Sequence, residues 1–142
     1  RFKTTFIENI EKGTIAAFYD EFKKEICKIE ERTSDDVKIG ICEGGADESD
    51  ALWHTAGVIV EGNYSVPEKM ELFEIPSSKY VVFSYKGCYT GIPGAYGYIY
   101  GEWLPFSGYE LSKRGKDLQV YDNNRYSSDS RYGEMDIYVP IE

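Results

Sequence analysis

Glu102 stands beside Trp103 and one helical turn after Tyr98, an acid flanked by two aromatic rings. If that helix face lines a cavity, burial raises the carboxyl pKa, and the carboxylate and π-faces together attract cations. Other residues able to do chemistry are few. Glu110 and Asp122 have no spacing that marks an acid–base pair, so only the fold could bring them together. His54 is the single histidine, and neither a G-x-S-x-G elbow nor an activated cysteine accompanies it. It reads as a structural residue on a buried strand face. Cys27, Cys42 and Cys88 are odd in number and lack CxxC spacing, which indicates neither a disulfide framework nor a zinc site. A reducing, cytoplasmic location is the expectation. Glu43, Asp47, Glu48 and Asp50 lie in a Gly-rich stretch without the calcium-loop register, and read as a solvated loop. No motif calls for a metal or a cofactor, and no residue is assigned a catalytic role.

The aromatic residues point elsewhere, toward binding. Thirteen Tyr against seven Phe is the unusual feature of the composition. Tyrosine offers a flat apolar ring with a polar tip, which suits a cavity that grips flat lipophilic molecules and still hydrogen-bonds them. Tyr85, Tyr89, Tyr96, Trp103 and Tyr121 fall within one segment, residues 80–122, and are candidate lining residues by that proximity.

Those residues need elements to position them. Residues 80–85 (YVVFSY) are β-branched and aromatic and predict a strand that Gly87 ends. Pro93 is acceptable in a first helical turn, and a helix is expected over residues 93–104, stopped by Pro105. Along it Tyr96, Ile99, Tyr100 and Trp103 make one stripe, with Tyr98 and Glu102 on a neighbouring face. Residues 118–121 (LQVY) predict the next strand, with Gln119 and Tyr121 on one face, and residues 134–141 a terminal strand with Met135, Ile137, Val139 and Ile141 inward.

The first half carries a similar order. A strand is expected over residues 2–8, and a helix capped by Thr14 to about Arg32 with Ile15, Phe18, Tyr19, Phe22, Ile26 and Ile29 as its apolar stripe. Strands are expected at 37–42 and 52–61, the latter with His54, Ala56, Val58 and Val60 on its core face, and a further strand at 70–75. The fold class predicted is α+β: two pseudo-symmetric βαββ repeats, about 1–66 and 67–142, forming one domain, 1–142. They are expected to build a curved antiparallel sheet with two helices on one side and a central ligand cavity.

At 142 residues the chain can bury roughly 70% of its unfolded surface. A net charge of -9 repels polyphosphate and excludes direct nucleic-acid binding by this chain. No apolar run approaches the ~18 residues of a membrane span and no signal peptide is visible, so no membrane association is expected. The first residue is Arg1 rather than Met, which leaves room for an upstream segment or a fused domain.

The run Trp103-Leu104-Pro105-Phe106-Ser107-Gly108-Tyr109, with Tyr138-Val139-Pro140-Ile141 at the end and a Tyr-Asp pair at Tyr121-Asp122, resembles the gyrase-inhibitor-like (GyrI-like) effector-binding superfamily. Such domains form the C-terminal part of bacterial AraC- and MerR-type multidrug-responsive regulators. The resemblance implies a cavity walled by aromatic side chains that takes a small aromatic, cationic or lipophilic ligand. It places wall positions at Tyr19, within the run from Ala17 to Ile26, and at Trp53 and Tyr132. The family's acidic position falls on Gln119, a neutral amide that hydrogen-bonds without supplying countercharge. The function implied is an effector sensor of a transcriptional regulator, with a fused or partner DNA-binding domain, or a stand-alone binder. Two alternatives accompany it. One is hydrolysis of cyclopropane-containing genotoxins by Glu102, Tyr89 and Trp103; the other is a protein-interaction module of the gyrase-inhibitor type.

Overall fold

A computed structural model describes residues 1–44, 51–62, 65–123 and 133–142. They form an α+β protein of antiparallel strands and short helices, in two compact units, Arg1–Glu74 and Ile75–Glu142.

In the first unit β1 (Phe2–Thr5) leads into α1 (Phe6–Lys12) and α2 (Thr14–Glu25), followed by β2 (Val37–Gly44) and β3 (Ala51–Gly57). The last strand is central: β3 pairs antiparallel with β1 and β2, so that Lys3 and Glu43 both lie opposite Trp53. The first strand is shorter than its alternation predicts. The Thr5 hydroxyl accepts from the Glu8 N–H at 3.1 Å and starts a helix at Phe6. Thr5-Phe6-Ile7-Glu8 has the spacing of a capping box, and that local bond wins over strand extension. Nor is Thr14 the cap of α2. Gly13, at φ 62°, both ends α1 and precedes α2, and Asn9 Oδ1 takes the Ile15 N–H at 2.9 Å. The apolar stripe falls where the 3.6-residue period puts it, although α2 ends at Glu25 and a 3₁₀ turn, Ile26–Lys28, replaces its expected continuation to Arg32.

The second unit runs β4 (Lys79–Gly87), a 3₁₀ turn (Tyr89–Gly91), α3 (Ile92–Tyr98), a π-helical turn (Ile99–Trp103), α4 (Leu104–Ser107), β5 (Leu118–Asp122) and β6 (Gly133–Ile141). Again the last strand is central, β6 pairing antiparallel with β4 and β5. Met135, Ile137 and Val139 have no exposed surface and pack with Ile99, as the alternation of the last strand predicts. Pro105 does not stop the helix. The Leu104 N–H reaches the Ile99 carbonyl five residues back, and this wider turn lets Pro105, which has no N–H, sit in the first turn of α4. Gly108, at φ 77°, ends the run.

Residues 70–75 form no strand: Leu72, Phe73 and Ile75 are exposed in extended chain leading to Pro76. Alternation specifies which way side chains point along a strand, but not that a partner strand is present. Likewise the regular part of β3 stops at Gly57, with Val60 held by a single bridge to Arg32. Among the described residues no helix is long and apolar enough to cross a membrane.

Candidate functional site

Gln119, the middle of the three residues Leu118, Gln119 and Val120, is 6% exposed on β5. A buried amide must find partners, and two tyrosines supply them. Its Nε2 donates to the Tyr96 hydroxyl at 3.2 Å, and its Oε1 accepts from the Tyr121 hydroxyl at 3.0 Å. Tyr121 is two residues on along the same strand face, whereas Tyr96 comes from α3. One helical turn after Tyr96, Tyr100 lies parallel to it with ring centroids 6.4 Å apart. The Tyr100 hydroxyl donates to Asp117 Oδ2 at 2.6 Å. Asp117, Gln119 and Tyr121 thus alternate in phase, and the strand and the helical stripe present one continuous band: carboxylate, phenol, stacked phenol, amide, phenol.

The electrostatics of this band follow from its burial. Burial, together with the carboxylate it donates to, drives the Tyr100 phenol far above the usual tyrosine range, so it is a permanent donor. Burial also pushes the Asp117 carboxyl up, with the Tyr100 hydrogen bond opposing the shift. No cation among the described residues pairs with Asp117. The band therefore presents the half-buried rings of Tyr96, Tyr100 and Tyr121 beside a carboxylate, with the Gln119 amide engaged by two of those tyrosines.

The other candidates of this unit are distributed around that band. Tyr85, on β4, packs against the Ile99 core, and its hydroxyl donates to the Cys88 carbonyl at 2.6 Å. Its polar tip is thereby spent on holding the chain reversal after β4. Tyr89 is exposed in the turn that follows. Trp103 stands edge-on to Phe83 at 5.0 Å and stacks with Tyr109 at 6.0 Å. Glu102 is exposed on the outer side of the π turn. With Tyr98, Trp103, Phe106 and Ser107 it borders a shallow open groove of about 400 Å³. The structure brings Glu102 and Trp103 together there, as their adjacency predicts, but on a surface rather than in a dry pocket.

In the first unit Tyr19 and Trp53 part company. The Tyr19 hydroxyl lies 3.1 Å from His54 Nε2, with the rings edge to face, so His54 points to the α2 side of the strands. Trp53, its neighbour, points to the opposite face, because successive strand residues do. There it is 39% exposed beneath the Arg1 guanidinium, 4.7 Å from the ring centroid, and the Lys3 ammonium at 5.5 Å. His54 is the buried structural histidine expected, 1% exposed, with burial lowering its pKa to about 4. Tyr132 lies outside the described residues.

Two members of the band, Tyr100 and Asp117, were not singled out by residue type and spacing. Tyr100 was placed only on the helical stripe with Tyr96, Ile99 and Trp103. Asp117 sits next to three lysines and arginines in SKRGKD, where a carboxylate reads as a solvated loop charge. The signal available was its phase, two residues before Gln119 and four before Tyr121.

Comparison with known proteins points to small-molecule binding at the level of the family. The family model described as "GyrI-like small molecule binding domain" matches residues 2–142. The chain is also similar to the transcriptional regulator BrlR of Pseudomonas aeruginosa, 31% identical over 129 residues. That alignment takes in 90% of this chain and 46% of the regulator, so the chain spans less than half the length of this relative.

Proposed function

Because this chain belongs to the GyrI-like small molecule binding domain family, we propose that it binds a flat aromatic compound of drug-like size, without turning it over, and that binding serves a regulatory output. The observation that carries the reading is the Tyr96–Gln119–Tyr121 triad with Tyr100 stacked beside it. Two tyrosines are fixed by one buried amide, so their rings are held in place before a ligand arrives, and little ordering entropy remains to be lost on binding. Stacked and edge-on ring pairs contribute about 0.5–1.5 kcal/mol each beyond area burial, so three supply about 1.5–4.5 of the roughly 8 kcal/mol that micromolar affinity requires, and burial of the ring's apolar area supplies the rest.

The regulatory part rests on the BrlR relative, whose name is that of a transcriptional regulator. In such an arrangement this chain is the effector-binding part, and contacts to DNA belong to another domain, since a chain of net charge -9 does not attract phosphate.

Calorimetric titration of the purified protein with N-methylacridinium, acridine and an anthracene sulfonate tests the binding. Saturable one-site heats are expected for at least the first two. Tyr96→Leu is expected to weaken them tenfold or more while the protein still unfolds cooperatively. Absence of heat with all three compounds, or full affinity retained in Tyr96→Leu, would overturn the reading.

A further inference from the structure

β4 is an outer strand of the second unit, with β6 as its one strand neighbour among the described residues. Native proteins protect such edges by keeping them short, by bulging them, or by placing proline or charge along them. β1, an outer strand of the first unit, is protected in the first way, at four residues. β4 uses none of these devices along its middle. It is nine residues long and pairs with β6 in nine consecutive steps without a bulge. Residues 80–85 (YVVFSY) hold neither proline nor charge, and Lys79 and Lys86 stand only near the ends.

The surface beside this edge is apolar as well. Phe83 and Tyr85 point to the helix side, where Phe83 meets Trp103 edge-on at 5.0 Å. Trp103 lines the open groove that Tyr98 and Phe106 also border. Phe106 is 89% exposed, and Val82, on the opposite face of β4, is 46% exposed. Through the Phe83–Trp103 contact the strand edge and the exposed rings form one surface, of the kind that marks an interaction site.

We propose that this surface takes a second copy of the chain, the two β4 strands running antiparallel about a twofold axis at Phe83. The strand is its own complement in that register. Phe83 of one copy meets Phe83 of the other, Val81 meets Tyr85, Val82 meets Ser84 and Tyr80 meets Lys86. Each pair lies on one face of the joined sheet, and aromatic and β-branched side chains are the ones that stabilise antiparallel neighbours. No two lysines are opposed. Lys86, ion-paired with Glu134 in its own chain, faces a tyrosine ring rather than a like charge. On the helix side the two Phe83–Trp103 pairs meet across the axis, and each open groove at Phe106 is covered by the other copy. A foreign strand would match this edge only by coincidence, whereas a second copy matches it by symmetry. The pairing goes beyond the ligand-binding reading and does not depend on it.

Sedimentation equilibrium of the protein from about 5 to about 500 µM, the range of a modest interface, tests the pairing, with hydrogen exchange measured at both ends of that range. The mass is expected to rise from one chain to two and to stop there, because an isologous contact uses up the edge. Alternate amides of residues 80–85 are expected to exchange at least about tenfold more slowly at the high concentration, while those of β1 keep one rate. Val82→Lys changes a side chain exposed in the single chain. It is expected to unfold as wild type does and to weaken association at least about tenfold, by placing a charge on the edge. A protein that stays monomeric throughout, a mass that grows past two chains, or association undiminished in Val82→Lys overturns the proposal. If Val82→Lys does not fold, wild-type exchange decides alone, and β4 amides indifferent to concentration overturn it.

Discussion

His54 holds its imidazole against Tyr19 and Phe18 with Nδ1 buried and without a hydrogen-bond partner among the described residues. That environment accepts the neutral ring and resists the charged one. Its folded pKa of about 4 lies below the ordinary histidine value of 6.5. Between those two values the unfolded chain binds a proton that the native chain refuses. Stability is therefore full above about pH 6.5 and falls as the pH drops toward 4, by about 3 kcal/mol from this residue. Urea unfolding at pH 7, 6, 5 and 4 reads the slope directly. His54→Gln is expected to flatten it in that window, and an unchanged slope would mean other groups carry the acid sensitivity. The histidine was legible in the sequence as a buried strand residue, since it shares a face with Ala56, Val58 and Val60. Its tyrosine partner was not, because a hydrogen bond between residues 35 apart depends on how α2 lies on β3.

At the level of elements, the segment that precedes β5 is what places Asp117. Gly115 packs flat against β6, and a Cβ built there would come within 2.2 Å of Pro140 Cβ. A ring in a central strand cannot move aside cheaply, so Gly115→Ala is expected to cost about 1–3 kcal/mol, the range of an overpacked core position. The same variant should weaken N-methylacridinium binding, because the segment leading into Gln119 and Tyr121 must shift. Denaturant unfolding alongside titration separates the two effects, and a cost under about 0.5 kcal/mol would show the segment to be freely adjustable. Helix and strand identities here were readable from period and propensity. Several ends were not. The capping bond at Thr5 and the five-residue hydrogen bond at Leu104 each moved a boundary by a few residues, since an end is settled by one or two local bonds rather than by a summed preference.

For the molecule as a whole, the charge of -9 on 142 residues sets its long-range behaviour. Such a field repels phosphate at every approach, and neutralised phosphates supply nearly all non-specific affinity for nucleic acid. No measurable binding of this chain to duplex DNA is expected by fluorescence anisotropy at 50 mM salt. Retention of duplex at that salt would require a local basic surface that overrides the net charge. The same field raises the local concentration of cations around the chain.

Composition, periodicity and short motifs determined that this chain is α+β and which faces of its strands and helices are apolar, and they marked its tyrosines as the candidates for binding. These are local properties, since a side chain's period along its own element needs no knowledge of other elements. Only the tertiary structure decided which aromatics meet. It joined Tyr96 to Gln119 and Tyr100 to Asp117, set Glu102 on an open surface, and turned Trp53 away from Tyr19. Those outcomes depend on the pairing of strands and the seating of helices. They arise from the summed packing of residues distant in the chain, and no single stretch of sequence contains them.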